Sequence, residues 1–563
     1  MKFESAAILD FYVDEPSCLG VPPYLATYPR YVAGALRCNG VKEILYRTVD
    51  QVRRDPSLLE AFSRRDLLVG IGGIAVPGKY IGGTPAGPGE VISMVSRISG
   101  PVKVFGGPLA RFGFGMTGGQ KAELLPEEAF DLVVRGDIEG AVADLAAGGS
   151  VEGADPDRRV PRRELGRWAA EGAAILPQHP DMPDTLCEIE TYRGCLWRKC
   201  AFCVEPQYGI PDSRSVEDIA AEIGALHRAG AVHFRLGDQP DLFAYGADGL
   251  KSEEARPDPE AIRRLYRAIR AAAPGLKTLH MDNADPAFIA EHPDEGREVA
   301  RAIAEYNTGG DVAAFGGETA DPKVVKANNL HALPEQVFEA VRILNGAGAA
   351  RDSNGMPRLL PGLNFVFGLQ GETAETYRLN HAFLKRVLDA GLMVRRINLR
   401  QVAPMRGTPM WKVGDRVMRR HRALFKMWKE RIRREVDRPM LRRVVPPGTV
   451  LRDIRLELHE NGLTFGRQLG SYPLLVGMPG NLPLRSHADA VICDYGMRSV
   501  TGVALPVDLN RAHLKTLAML PGVGARRAAR LAAGRPLNSR REVERALDDA
   551  EIGRQVAAWS GLA

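Results

Sequence analysis

Short apolar runs alternate with amphipathic stretches along the first part of the chain. Runs such as SAAILDFYV, KEILYRTV, DLLVGIGGIAV and PVKVFGG have the length of buried strands, and YLATYPRYVAGALRCNG between them has the spacing of a helix. Buried strands that alternate with helices are typical of a parallel sheet covered on both faces. The pattern therefore predicts a doubly wound α/β domain over residues 1–150.

The alternation restarts after a polar, proline-rich stretch at 151–184, which predicts a linker. Apolar runs at CEIET, AVHFRLGD, TLHMDN, VAAFGGET, LLPGLNFVFGL and RRINLRQV are separated by helical stretches, one of which opens with Ser215 and Asp218 at capping-box spacing. Such units predict an α/β barrel, open or closed, over 185–411, whose functional residues follow the carboxyl ends of its strands.

The last quarter of the chain has a different pattern. Residues 412–445 have helical spacing, and 446–508 contain short strands with turn sequences at Asn461-Gly462 and Pro479-Gly480. Residues 509–563 have the spacing of helices again. We therefore expect a basic helical segment, a small β barrel and a terminal helical domain. The β segment resembles the small barrel appended to tRNA methylthiotransferases, and this resemblance implies RNA contact; the alternative is a substrate lid.

Length and composition add two expectations. The 563 residues are 45% hydrophobic and 26% charged, enough for several buried cores. No run approaches the length of a membrane span and the first residues do not resemble a secretory signal, so the sequence predicts a cytoplasmic protein without a membrane partner.

Positive charge is concentrated in one segment. The whole chain carries a formal charge of +6, whereas residues 412–443 alone contain 13 Lys or Arg against 4 Asp or Glu. Trp411, Phe425 and Trp428 are interleaved with these cations and are candidates for stacking on nucleic-acid bases. The alternative is an ordinary solvated helix face.

Three of the seven cysteines, Cys195, Cys200 and Cys203, form a C-x4-C-x2-C pattern directly after a predicted strand. Thiolates at this spacing can converge on one metal centre. A two-iron centre needs a fourth thiolate, but the next cysteine is Cys493 in another predicted domain. A zinc site would need a fourth ligand, but the loop contains no histidine and Cys187 lies in a predicted strand. Two interpretations remain. One is a four-iron, four-sulfur cluster in which one iron has no protein ligand, and such an open iron implies catalysis. The other is that the three cysteines are unrelated buried thiols.

The cysteine loop, with Phe202 before its last cysteine, resembles that of radical S-adenosylmethionine (radical SAM) enzymes, which usually have one residue fewer between the first two cysteines. Gly237-Asp238-Gln239-Pro240 resembles the family's GGEP motif. Phe315 to Thr319, Phe367 to Thr373 and Leu399 to Pro409 resemble segments of methylthiotransferase-like members. The resemblance implies a cluster on the three cysteines, reductive cleavage of SAM to a 5′-deoxyadenosyl radical, and an electron donor such as ferredoxin or flavodoxin. The SAM-contacting residues that it implies are Phe202, Gly237, Asp238, Gln239, Glu318, Thr319, Gly368 and Glu372.

The N-terminal domain, which ends in VVRGDIEG, resembles the cobalamin-binding type of domain that precedes many radical SAM barrels. Cobalamin is therefore a candidate cofactor, although the D-x-H-x-x-G motif that usually supplies a histidine ligand is absent. Cys18 and Cys38 are the only cysteines before residue 150, too few for a second cluster, and we expect them to be packed thiols. Gly113-x-Gly115-x-x-Gly118 has the letters of a dinucleotide motif but does not follow a strand.

Residues 517–531 resemble a helix-hairpin-helix motif, in which Gly522 and Gly524 would permit the tight turn. Free backbone N–H groups there, with Arg526, Arg527 and Arg530, are candidates for binding a nucleic-acid phosphate, unless the hairpin serves subunit packing. Nearly the whole chain resembles radical SAM enzymes that carry such a hairpin at the C-terminus. This predicts modification of RNA by methylthiolation or C-methylation, most readily of tRNA. The alternatives are a cobalamin-assisted C-methyltransferase acting on a protein or small molecule, and a nucleic-acid-binding protein with a structural cluster.

Overall fold

The computed structural model describes residues 3–13, 23–75, 81, 83–115, 118–247 and 254–562. Cys18 lies outside them. No helix in these residues is both long and apolar enough to cross a membrane. None of the six cysteines within them forms a disulfide.

The described residues of the N-terminal part form six strands and seven α-helices. The strands are β1 (Ser5–Asp10), β2 (Tyr24–Leu25), β3 (Glu43–Thr48), β4 (Leu67–Ile71), β5 (Val102–Gly106) and β6 (Leu132–Val133). The helices are α1 (Thr27–Cys38), α2 (Val49–Arg54), α3 (Leu58–Ser63), α4 (Pro88–Val95), α5 (Pro108–Phe112), α6 (Ile138–Ala146) and α7 (Leu165–Glu171). Five strands form a parallel sheet in the order β3-β1-β4-β5-β6. The strand order reverses between β1 and β4, the position where open α/β sheets bind ligands.

The central part is a partial barrel of parallel strands. Its strands, with a small antiparallel pair (β8 and β9), are β7 (Leu186–Glu190), β8 (Tyr192–Arg193), β9 (Asp212–Ser213), β10 (His233–Gly237), β11 (Thr278–Met281), β12 (Asn283–Ala284), β13 (Asp311–Phe315), β14 (Leu359–Phe367) and β15 (Arg396–Gln401). Its helices are α8 (Val216–Arg228), α9 (Pro259–Ala272), α10 (Pro286–Glu291), α11 (Pro293–Tyr306), α12 (Pro322–Ala327), α13 (Pro334–Gly348) and α14 (Ala374–Asp389). The sheets β11-β10-β7-β2 and β12-β13-β14-β15 meet where β11 continues into β12 across Asp282.

The boundary between the first two parts differs from the prediction. Strand β2 belongs to the barrel sheet, because Tyr24 and Leu25 pair with Leu186 and Cys187 of β7. The stretch predicted as a linker contains α7, which packs on α1 and buries Leu165 and Ala169. Apolar residues of both parts belong to one continuous core cluster. The N-terminal part is therefore fused to the barrel rather than tethered to it.

The basic segment is helical, as predicted, and is divided into four helices. They are α15 (Met410–Val413), α16 (Arg416–Arg420), α17 (Arg422–Ile432) and α18 (Arg438–Val444), the last two joined by a π-helical turn over Arg433–Asp437. Phe425 is buried and its ring lies 5.3 Å from that of Phe367 at the end of β14. The proposed base-stacking role of Phe425 is therefore wrong, because the ring belongs to the protein core.

The C-terminal part contains a closed barrel and four helices. Its strands are β16 (Val450–Glu460), β17 (Leu463–Gln468), β18 (Leu475–Pro479), β19 (His487–Tyr495) and β20 (Ser499–Leu505), in the order β16-β17-β18-β20-β19. The helices are α19 (Leu514–Met519), α20 (Gly524–Ala533), α21 (Arg540–Leu547) and α22 (Ala550–Trp559). These helices share a hydrophobic cluster with the outer side of the barrel, including Val491 and Val503.

Candidate functional site

The three clustered cysteines lie on one loop at the carboxyl end of β7, and backbone N–H groups surround their sulfur atoms. Arg198 donates its N–H to Cys195 Sγ over 3.5 Å. The backbone of His331 donates to Cys200, and that of Glu205 to Cys203. Such bonds stabilise thiolate sulfur and tune any cluster that the sulfur holds.

The thiols need a positively charged partner to ionise at neutral pH. Burial raises the pKa of Cys195 to about 12 and raises the pKa values of Cys200 and Cys203 further. Cys195 also raises the pKa of Cys200, and both of these thiols raise the pKa of Cys203, so the three groups lie close together. Within the described ranges, no three His, Cys, Asp or Glu side chains are arranged around a single metal ion. Three neighbouring thiols on one loop, with backbone N–H groups directed at their sulfur atoms, fit an iron–sulfur cluster.

Two buried carboxylates without full hydrogen bonding lie near this loop. Asp238 follows β10 and adopts a left-handed φ of 58°. Its Oδ2 accepts a hydrogen bond from Thr27, whereas Oδ1 is buried without a partner among the described residues. Burial is the main cause of its raised pKa, which Arg193 partly offsets. An orphaned buried carboxylate oxygen is costly and indicates a missing cationic or hydrogen-bonding ligand.

Glu318 is the second such group and follows β13. Its Oε2 is buried with no hydrogen-bond partner in the part of the chain that the structure covers. Burial raises the pKa of Glu318 to about 8, and Arg400 offsets only part of this shift. Glu318 in turn raises the pKa of Cys200, so the carboxylate and the cluster loop share one site.

Comparisons with known proteins agree with this arrangement. A family model described as "Radical SAM superfamily" matches residues 189–378, which contain the thiols and both carboxylates. The chain contains a radical SAM domain. Its cofactors are accordingly a 4Fe–4S cluster and SAM. The thiol geometry and the two orphaned carboxylates described above fit both groups.

Relatives of similar length occur in archaea. An uncharacterized protein of Archaeoglobus fulgidus is 43% identical over 549 residues, which cover 96% of this chain and 97% of the relative. An uncharacterized protein of Methanocaldococcus jannaschii is 44% identical and covers 91% of this chain and 95% of its own length. The ribosomal protein uS12 methylthiotransferase RimO of Anaeromyxobacter is 28% identical over 287 residues, 48% of this chain and 53% of the relative.

Two solved structures of radical SAM enzymes align with most of this chain at low sequence identity. The methyltransferase TsrM of Kitasatospora setae, solved with cobalamin and a [4Fe-4S] cluster, aligns with a TM-score of 0.48 and 14% identity over 73% of this chain and 77% of that one. OxsB, solved with aqua-cobalamin and SAM, aligns with a TM-score of 0.47 and 14% identity over 76% of this chain and 56% of that one.

The other residues expected to contact SAM are engaged by the protein itself. Gln239 accepts a hydrogen bond from Thr191 at 3.1 Å and donates to the carbonyl of Leu236 at 3.1 Å. Thr319 Oγ1 donates to Asn380 at 3.1 Å. Of the carboxylates expected to contact SAM, Asp238 and Glu318 each keep one oxygen without a hydrogen-bond partner among the described residues.

Glu372 supports a turn rather than presenting a free carboxylate. It accepts hydrogen bonds from the backbone N–H of Gly368 at 2.7 Å and from the Tyr377 hydroxyl at 2.7 Å, and His421 lies 3.1 Å away. Gly368 has a φ of 91°, and a Cβ there would lie 2.1 Å from Met418. Both residues therefore hold the basic segment against the end of β14. Phe202 packs in the neighbouring apolar cluster of Val324, Leu369 and Met410.

A buried ion network joins the N-terminal part to the radical SAM site. Arg162 contacts Asp137 at 2.7 Å, Glu139 at 3.7 Å and Glu190 at 3.1 Å. Arg193 contacts Glu190 at 2.5 Å and Asp137 at 3.5 Å. Asp137 and Glu139 belong to the segment that resembles the end of a cobalamin-binding domain. Through Arg162 and Arg193 they are linked to Glu190 at the end of β7, the strand that precedes the Cys195 loop.

The carboxyl edges of the N-terminal sheet and of the radical SAM barrel face one another. Gly119 donates its N–H to the carbonyl of Val402, and Ala122 to that of Pro404, both at 3.0 Å. Arg406 Nε donates to the carbonyl of Arg111 at 2.9 Å. The carboxyl ends of the two sheets are thus joined by hydrogen bonds between residues 111–122 and 402–406. Residues 76–80, 82 and 116–117 lie outside the described residues.

The opposite end of the radical SAM barrel is closed by the C-terminal barrel. The Tyr472 hydroxyl donates to Asp282 at 2.8 Å, and the backbone N–H of Ser471 donates to His280 Nδ1 at 2.8 Å. Asp282 also pairs with the buried Arg235. Arg396 lies over the Tyr472 ring at 4.4 Å. These residues form a floor that excludes water from the barrel interior.

Several arginines near the edge strand β15 form no close ion pair with the acidic residues that the structure describes. Asn398 Oδ1 accepts from Arg396 Nε at 2.7 Å and lies 3.5 Å from Arg498 of the C-terminal barrel. Among the described residues, Arg396, Arg400 and Arg498 form no ion pair within 4.0 Å. Burial, followed by nearby arginines, lowers the pKa values of Arg396 and Arg498, the latter to about 10.

The terminal hairpin is less cationic than its sequence suggests. Gly522 and Gly524 have positive φ angles of 79° and 61°, as a tight turn requires. Arg527 pairs with Asp549 at 2.9 Å and donates to the carbonyl of Gly522, while Arg530 lies 3.6 Å from Asp548. Arg526 is exposed. Only Arg526 of the three predicted phosphate-binding arginines is therefore available without breaking an ion pair.

Sequence reasoning missed Arg162, Arg193, Arg400 and Tyr472. Arg193 could have been suspected from its position two residues before Cys195. Arg400 lies within the Leu399 to Pro409 segment, but its sequence does not show which residues it faces. Arg162 and Tyr472 lie far from any motif in sequence, and only the fold brings them to the site.

Proposed function

We propose that the protein is a radical SAM transferase that modifies RNA, by methylthiolation or C-methylation, and that the RNA approaches beside β15. The single observation that supports an anionic substrate is the group of Arg396, Arg400 and Arg498, which form no ion pair within 4.0 Å among the described residues; the carboxylates of Glu318 and Asp437 act on Arg400 and Arg498 only from a longer distance. Guanidinium groups without a close ion pair attract phosphate and orient it through bidentate hydrogen bonds. The basic segment α15–α18 extends the positive charge along the same side of the barrel.

The chain's own residues provide binding and protection in this reaction. Cys195, Cys200 and Cys203 would hold the cluster, and the free oxygens of Asp238 and Glu318 would face the cationic groups of SAM. When bound, the cluster and SAM supply a 5′-deoxyadenosyl radical, which removes a hydrogen atom from the substrate. The floor at Tyr472 and the N-terminal sheet exclude water from the space where such a radical would form.

Glu318→Gln is expected to weaken SAM binding by about tenfold and to flatten its pH dependence. The free carboxyl of Glu318, with a pKa raised to about 8 by burial, is mostly protonated at pH 6.5. A cationic ligand favours the carboxylate, so binding releases a proton below pH 8 and becomes tighter as the pH rises.

The measurement is equilibrium dialysis of SAM against the reconstituted protein at pH 6.5 and 8.5. The wild type should gain affinity by about tenfold over this interval, and the Gln variant should gain much less. Gln239→Glu, at a residue already bonded to Thr191, provides a comparison. An identical pH profile in wild type and Glu318→Gln would remove Glu318 from the SAM site.

RNA binding tests the substrate class. The double variant Arg400→Gln, Arg498→Gln should bind tRNA about tenfold more weakly than wild type, and the slope of log K against log salt should fall by about 2. Fluorescence anisotropy with labelled tRNA at several salt concentrations provides both values. The control is the double variant Arg301→Gln, Arg511→Gln, which removes the same charge from exposed arginines elsewhere. It should change neither the tRNA affinity nor the salt slope.

The effect of an added substrate on SAM cleavage distinguishes an RNA substrate from a protein substrate. Formation of 5′-deoxyadenosine under anaerobic conditions should increase when RNA is added to the wild type. The RimO-type relative carries a ribosomal protein in its name, which makes a protein the second candidate substrate. Stimulation by ribosomal protein and not by RNA, with unchanged binding in the arginine variant, would replace the RNA proposal.

Cobalamin is a further candidate cofactor for methyl transfer. The opposed carboxyl edges of the two sheets support this proposal, because open α/β sheets bind ligands at that edge. Residues 1–178 contain no histidine, so this part of the chain would supply no imidazole to cobalt. Cobalamin retained after reconstitution, with an absorption spectrum that lacks a histidine ligand, would support it.

A further inference from the structure

The first turn of helix α1 packs against the radical SAM barrel, although most strands of the N-terminal part belong to a separate sheet. Strand β2 pairs with β7 of the barrel, and α1 begins at Thr27, two residues after β2 ends. Thr27, Tyr28 and Arg30 of this turn are all buried. The turn therefore lies within the structure that carries Asp238 and the cysteine loop.

Thr27 contacts one of the two carboxylates with an unsatisfied oxygen. Its hydroxyl donates a hydrogen bond to Asp238 Oδ2, although the two residues lie 211 positions apart in sequence. The other oxygen, Asp238 Oδ1, is buried and has no hydrogen-bond partner among the described residues. Thr27 thus holds one oxygen in place and leaves the second for a ligand.

Arg30 fixes the position of the turn that carries Thr27. Its guanidinium donates a hydrogen bond to the backbone carbonyl of Glu188 in β7 and pairs with Glu222 of α8. All three side chains are fully buried. Charge-assisted hydrogen bonds are strong in such surroundings, so Thr27 is held at a defined place relative to the barrel strands.

The charged groups that act on Asp238 come from β7, β8 and β10. Burial and Glu190 favour its neutral form and raise its pKa, whereas Arg193, the Thr27 hydroxyl and Arg235 favour the carboxylate. Arg193 lies 5.1 Å over the ring of Tyr28, so α1 also contacts this cation. The hydrogen bond from Thr27 therefore stabilises the ionised form, which is the form that attracts a cationic ligand.

A hydroxyl that only satisfies itself in the core would be bonded differently. Most buried side-chain hydroxyls donate to a backbone carbonyl, as Thr464 does to Gly480 at 2.6 Å in the C-terminal barrel. Thr27 donates instead to a carboxylate whose second oxygen is unsatisfied. Leaving that oxygen buried costs free energy, which a bound cation would recover.

We infer that Thr27 is a positioning residue of the SAM site, whose hydroxyl holds Asp238 so that Oδ1 stays free for the positively charged part of SAM. The inference rests on the proposed function, because that function requires SAM. It adds that the N-terminal part supplies a side chain to the site and does more than cover it.

The test compares two ligands on the reconstituted holoenzyme. SAM carries an ammonium and a sulfonium charge, whereas 5′-methylthioadenosine has the same adenosine part with neither charge. Equilibrium dialysis gives the Kd of each ligand for wild type, Thr27→Val, which removes the hydroxyl at nearly constant volume, and Thr27→Ser, which keeps it. Thr464→Val removes a buried hydroxyl far from Asp238 in sequence and is the matched control.

Thr27→Val should bind SAM about tenfold more weakly than wild type, because Asp238 loses a hydrogen bond and shifts toward its neutral form. Its affinity for methylthioadenosine and its iron content should stay unchanged. Thr27→Ser should restore most of the SAM affinity, and Thr464→Val should bind both ligands as wild type does. Thr27→Ala, which suits a helix and also removes the hydroxyl, replaces the valine variant if valine impairs folding.

A double-variant comparison tests whether Thr27 acts through Asp238. Thr27→Val combined with Asp238→Asn should bind SAM no more weakly than Asp238→Asn alone. Equal losses of affinity for SAM and methylthioadenosine in Thr27→Val would overturn the inference, as would unchanged SAM affinity or fully additive losses in the double variant. A wild-type holoenzyme that binds no SAM would instead contradict the proposed function.

Discussion

Replacing Cys195, Cys200 or Cys203 with alanine should remove the iron–sulfur cluster and lower SAM cleavage by more than about 100-fold. Replacing a residue that only supports a metal ligand typically lowers metal affinity or activity 10- to 100-fold, and these thiols are the proposed ligands themselves. The two remaining thiols have pKa values raised by burial, so they would revert to neutral thiols without the full cluster. Iron and sulfide content after anaerobic reconstitution and 5′-deoxyadenosine formation measure the two effects.

Cys38→Ala and Cys493→Ala are the matched controls. Both thiols are half-buried and unpaired by disulfides, and neither lies on the cluster loop. These variants should keep full iron content and turnover. A Cys200→Ala protein with four irons and wild-type turnover would refute the assignment of the three-thiol site.

Arg162→Met should lower the free energy of unfolding by about 3–5 kcal/mol. The Arg162 side chain is 2% exposed and contacts three carboxylates, Asp137, Glu139 and Glu190. Methionine matches its length but leaves these buried acids with Arg193 as the main remaining cation. Burial and Asp137 already raise the pKa of Glu139 to about 7, so further loss of positive charge would favour its neutral form.

Denaturant unfolding of wild type and variant measures this change. Arg37→Met removes an arginine whose pair with Glu171 is 3.2 Å long and about half exposed, with side-chain exposures of 42% and 45%. This control substitution should lower the free energy of unfolding by less than about 1 kcal/mol. Equal losses in the two variants would mean that the buried network contributes no more than a surface ion pair.

Local patterns made much of the fold and the centre of the site predictable. The thiol loop follows from cysteine spacing within nine residues, and each predicted barrel strand corresponds to one of β7, β10, β11, β13, β14 and β15. The Ser215 cap is present, since its side chain accepts from the backbone N–H of Asp218 at 3.1 Å. These features depend on neighbours in sequence, where periodicity and capping are informative.

The remaining features depend on contacts between distant residues. Arg162 donates a hydrogen bond to Glu190, which lies 28 residues away in sequence, and Arg455 of the C-terminal barrel donates to Asp181, which lies 274 residues away. A basic side chain in sequence does not reveal whether an acid neutralises it, which is why Arg527 and Arg530 looked free. Strand β2 is only two residues long, too short for a recognisable alternation.

The floor at Tyr472 also changes what counts as the smallest working unit of this protein. A shortened gene that stops at Pro446 would keep every cysteine of the loop and every strand of the catalytic barrel. It would nevertheless leave Asp282 and His280 open to solvent, with Arg235 beneath them. The C-terminal barrel is therefore no detachable accessory, and a related enzyme that lacks it must close the same opening with another segment.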